Sequence, residues 1–76
     1  MKTFKVTPAS TRVPAVVLTA PDDVSLGEQI ARHLIRHRAL RPGIPLDAEV
    51  DTTAGRAAFR QHGIHRPVTV TIEEQP

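Results

Sequence analysis

Four histidines stand in two close pairs, His33/His37 and His62/His65. Residues four apart share a helix face, so His33 and His37 could hold one metal ion, and the second pair could complete the set. Nothing in the spacing fixes the distance between the pairs. His37 follows Leu34 by three, which reads as a core-edge residue held by a hydrogen bond. His33 falls at the boundary, and His62 and His65 fall in a turn. No metal site is expected.

Asp47, Glu49 and Asp51 alternate with apolar residues. Alternate residues of a strand stand about 7 Å apart, so three such carboxylates do not converge on one cation. They suit a solvated strand face, paired across a sheet with Arg56, Arg60 or Lys5, and they would discourage edge-to-edge aggregation. The only serines are Ser10 and Ser25, and the four glycines are scattered, so there is neither a serine-nucleophile motif nor a phosphate loop. The chain has no cysteine, which excludes thiolate catalysis, disulfides and cysteine-bound zinc. A non-enzymatic chain without cofactor is the expectation.

The remaining charged constellation is Arg32, Arg36, Arg38 and Arg41, a run without an acid. Exposed on a helix, these side chains could meet phosphates or an acidic partner. Helix electrostatics also accounts for them. Glu28 stands four residues before Arg32, and cations are favoured near a helix C-terminus. The net charge is only +2, and no Tyr or Trp is present for base stacking.

Elements must position these groups. Seven prolines punctuate the chain between periodic segments. Leu26, Ile30 and Leu34 recur every four residues, with Ala31 and Ile35 beside them, and predict a helix over 25–40. Ser25 and Glu28 have capping-box spacing, and Arg41-Pro42-Gly43 reads as the stop. Strands are expected over 2–7, with Phe4 and Val6 inward, and over 15–20. The segment 8–11 reads as their hairpin loop. Residues 46–51 alternate Leu46, Ala48 and Val50 inward, and residues 68–73 alternate Val68, Val70 and Ile72 inward.

Residues 54–62 fit a strand with Ala57 and Phe59 inward and Gly55 at a bulge, or a short second helix ended by Gly63. The strand reading gives one helix on a four-stranded, mostly antiparallel sheet, ββαββ. The helix reading gives ββαβαβ. Element spacing resembles the β-grasp architecture, although the chain ends Glu73-Glu74-Gln75-Pro76 and not in a diglycine.

At 76 residues this is one α+β domain spanning 1–76, and it can bury only about 60% of its unfolded surface. Two Phe and one Met are its largest apolar side chains, so aliphatics must build the core. Such a thin core makes a partner or a second copy an expected source of stability. The segment Met1–Lys5 opens no signal-peptide pattern and no run is long enough to span a bilayer, so a cytoplasmic, non-membrane protein is expected. Eight arginines to two lysines suggest a GC-rich bacterial source.

Strand 15–20 is apolar on both faces, although a two-layer domain buries one. Val16 and Leu18 fill that face, which leaves Ala15 and Val17 outside among Thr3, Thr69 and Thr71. This uncharged patch makes Ala15, Val17, Thr69 and Thr71 the expected protein-binding residues. The leading functional expectation is a small protein-binding module, with homodimerisation as one form of the contact. The alternative is a small basic nucleic-acid-binding accessory protein of plasmid or phage type, acting through Arg32, Arg36, Arg38 and Arg41.

Overall fold

Phe4 and Val6 alternate with Lys5, and this pattern places β1 at Lys2–Pro8 in a computed structural model that describes residues 1–76. β2 follows at Val16–Ala20, then helix α1 at Asp23–Arg36, β3 at Leu46–Asp51, β4 at Arg56–Gln61 and β5 at Val68–Gln75. The sheet order is β2-β1-β5-β4-β3, and every neighbouring pair is antiparallel. The fold is α+β, with five strands where ββαββ counts four, because the 54–62 segment forms a strand of its own between those expected over 46–51 and 68–73.

The helical reading of 54–62 is overturned. Gly55 has φ of 75°, a left-handed value that starts no helix, and Ala57, Phe59 and Gln61 are buried on alternate positions of β4. A period of two, with Phe59 fully buried, fits a strand and leaves Arg56 and Arg60 outside.

α1 differs from its expected bounds at both ends. Asp22, not Ser25, is the N-cap: its carboxylate accepts from the Ser25 N–H at 2.8 Å. The helix stops at Arg36, four residues early. The Arg38 N–H donates to the Ile35 carbonyl (3.0 Å) and the Ala39 N–H to the Leu34 carbonyl (2.8 Å), the bonding of a Schellman motif. This turns Leu40 into the core. The motif puts Arg38 at φ 63°, where glycine is the usual occupant. Arg38→Gly should therefore raise stability by about 0.5–1 kcal/mol, net of the greater freedom glycine has when unfolded. A lower midpoint in a urea titration would show that the Arg38 side chain makes contacts that outweigh its backbone cost.

The sheet curls around α1, so that its two edge strands, β2 and β3, approach the helix most closely. Phe59, Leu26, Ile30, Leu34 and Val6 form the fully buried centre of the core. The 8–15 segment is more than a hairpin loop. Val13 is buried from it, and the Pro14 carbonyl lies 2.8 Å from His33 Nε2. One polar side chain is buried, Gln61. Its amide accepts from the Arg41 N–H (3.0 Å) and donates to the Arg41 carbonyl (2.7 Å), tying the 37–45 connection to β4. No helix is long and apolar enough to cross a membrane.

Candidate functional site

The open face of the sheet carries the four residues expected to bind protein, but it does not bring them together. Ala15 is exposed just before β2, Val17 is 60% exposed, and Thr69 and Thr71 are exposed on β5. β1 runs between β2 and β5. Val17 lies opposite Lys5, which lies opposite Glu73, while Thr71 lies opposite Thr7. A charged pair therefore stands in Val17's row, and the two halves of the expected patch are separate. Sequence alternation assigns the face correctly, but the strand order that splits the patch is set by long-range pairing.

The arginines also separate. Arg32 and Arg36 are exposed on α1, whereas Arg38 and Arg41 lie beyond its end. Arg38 and Arg41 share a basin of about 280 Å³ with Arg66 and the exposed Ile64. Of the histidines, His33 and His37 meet edge to face with ring centroids 4.7 Å apart, and His33, not the exposed His37, holds the core-edge hydrogen bond. No three His, Asp or Glu side chains come together where they could hold a metal ion.

The largest groove was not foreseen from the residues. It lies between α1 and the outer edge of β3, with a volume of about 430 Å³. The helix supplies Val24, Gly27 and Ala31, and the strand supplies Leu46, Ala48 and Val50. Asp23 and Glu28 complete the lining. Alternation puts Leu46, Ala48 and Val50 on the helix side of the sheet, where α1 covers them only in part. Ala48 is exposed and the other two are half-buried. Val24, on the facing helix turn, is 74% exposed. Gly27 lets the two walls approach: a Cβ there would stand 3.1 Å from Val50 Cγ2.

The backbone beside this groove is unpaired. β3 is a terminal strand of the sheet, bonded to β4 on one side only. The Pro45 carbonyl accepts from the His62 N–H at 3.3 Å. Antiparallel ladders alternate bonded and non-bonded pairs, so Asp47, Glu49 and Asp51 exchange bonds with β4. Leu46, Ala48 and Val50 then turn their N–H and C=O groups to the open edge. Apolar side chains and free backbone groups thus come from the same three residues. β2, the other terminal strand, presents no exposed inner residue: Val16 and Leu18 are half-buried and Ala20 is buried, whereas Ala48 of β3 is exposed.

Compared with family models, curated proteins and solved structures, the chain matches none.

Proposed function

We propose that this chain is a non-enzymatic protein-binding module that takes an extended segment of its partner as a sixth strand against β3. The carrying observation is the coincidence of an unpaired edge at Leu46, Ala48 and Val50 with an apolar groove lined by those same residues. Strand addition uses both: main-chain hydrogen bonds supply affinity, and pockets for alternate side chains supply selectivity. The binding surface is then the β3 edge and not the open-face patch around Val17.

The test is a peptide titration against an edge-blocked variant. Ala48→Pro removes an N–H that the β4 ladder does not use, so the fold should survive, as proline does on sheet edges. Binding of a seven-residue extended peptide with alternating apolar positions should fall at least about tenfold, the loss of one or two main-chain hydrogen bonds. Val24→Gln removes apolar groove surface from an exposed position and should weaken the same peptide if the proline variant is unstable. Undiminished affinity in a folded variant would refute the reading.

The second reading, duplex nucleic acid, draws on the basin where Arg38, Arg41 and Arg66 meet without an acid in its lining. It requires salt-dependent duplex binding that persists at about 150 mM salt and is lost in Arg38→Ala/Arg41→Ala.

A further inference from the structure

We infer that the segment added at β3 is a basic one, with Lys or Arg at alternate positions and small apolar residues between them. The inference rests on the strand-addition reading and names its partner.

The charge pattern of the edge carries it. Asp47, Glu49 and Asp51 project from β3 on the open face, where a sixth strand would lay its own alternate side chains beside them. The existing sheet closes no ion pair on these acids within 4 Å: Arg60 and Arg56 stand in register with Asp47 and Asp51, Arg56 shares a basin with Glu49 and Asp51, and Glu49 faces Ala58. One Asp51 carboxylate oxygen already accepts from the Ala54 N–H at 2.9 Å. The groove side repeats the pattern, with apolar walls between Asp23 and Glu28. The open face of the vacant strand position therefore calls for cations, and the groove face for apolar residues. This local acidity stands against a net charge of +2 for the whole chain, so a cationic peptide gains nothing from general attraction to the molecule.

The same pattern argues against a second copy pairing through β3. In an antiparallel β3–β3 contact, a register that matches faces sets Asp47, Glu49 and Asp51 opposite acids of the partner copy. A register shifted by one sets acids opposite the apolar row. Pairing β3 with the β2 edge of another copy brings Val17 and Thr19 beside the acids and supplies no cation.

The experiment uses the intact chain and four synthetic peptides of equal length. Three carry valine and alanine at alternate positions with lysine, glutamine or glutamate between. The fourth has the lysine peptide's composition with its apolar residues bunched. The lysine peptide should bind at least about tenfold tighter than the glutamine peptide at low salt. Its advantage should shrink at about 1 M salt, where the screening length is near 3 Å. Glu49→Lys, a change at an exposed position that leaves Asp47 and Asp51 in place, should narrow the lysine peptide's advantage over the glutamate peptide. Equal binding of lysine and glutamine peptides would overturn the charge inference and leave strand addition standing. Equal binding of the bunched peptide would also overturn it, as attraction without strand geometry. No binding by any peptide, or a concentration-dependent dimer that Ala48→Pro dissolves, would overturn both readings.

Discussion

Phe59→Ala is expected to remove about 3–5 kcal/mol of stability. Phe59 is fully buried in β4, and it packs in the cluster that includes Leu26, Ile30 and Leu34. The core offers little to replace it. Thirteen apolar residues form it, only two of them aromatic, so a truncated ring leaves a cavity that alanines and valines cannot fill. A domain of this size has a total stability of about 4–11 kcal/mol, so the variant should be largely unfolded or melt far below the parent chain. Urea denaturation followed by circular dichroism measures it. A loss under about 1 kcal/mol would mean that β4 does not hold Phe59 against the helix.

Gly55→Ala should cost about 2–3 kcal/mol, although it adds a single methyl group. Gly55 closes the turn between β3 and β4 at φ 75°, and an L-residue there costs about 1–2 kcal/mol. Its environment adds to that. A Cβ would stand 3.0 Å from the Ile72 carbonyl oxygen, a backbone atom that no rotamer change can move. The Ile72 N–H donates to the Gly55 carbonyl at 2.8 Å, so backing away stretches the bond that fastens the β3–β4 hairpin to β5. Gly43 and Gly63 are internal controls. Both have φ of 80°, but a Cβ at either meets nothing within 4 Å. Their alanine variants should show the conformational cost alone, about 1–2 kcal/mol. If all three variants lose the same stability, the contact with Ile72 contributes nothing.

Much of this fold is legible in local patterns. The four-residue recurrence of Leu26, Ile30 and Leu34 marks the buried face of α1, and alternation marks the inward-facing residues of β1, β3 and β5. The helix ends are less legible. Asp22 and Ser25 are both competent caps, and the choice between them depends on how the chain leaves β2. The C-terminal stop uses Arg38 where glycine would announce it, so the signal is absent from the residue type. The segment 54–62 is undecided locally because alanines suit a helix and a strand alike. Its pairing with both β3 and β5 decides it.

The candidate site is less legible than the core. Alternation puts Leu46, Ala48 and Val50 inward, and they are on the helix side. That α1 leaves this edge partly bare is a consequence of sheet curvature and of where a single fourteen-residue helix can lie across five strands. The acids of β3 were readable as an edge feature that discourages aggregation. That role and selection of a basic strand are compatible, since both follow from like charges repelling and unlike charges pairing across a ladder.

Amide hydrogen exchange at Ala48 tests the central claim most directly. In the free chain its N–H faces the open edge of β3, without a ladder partner, and should exchange fast compared with Phe59 or Val70 in the central strands. Saturation with the alternating lysine peptide should slow exchange at Ala48 and Val50 by at least about tenfold, because the added strand accepts from those N–H groups. Slowing at Val17 and Thr19 instead, or a bound peptide that leaves Ala48 and Val50 exchanging as before, would contradict binding at the β3 edge.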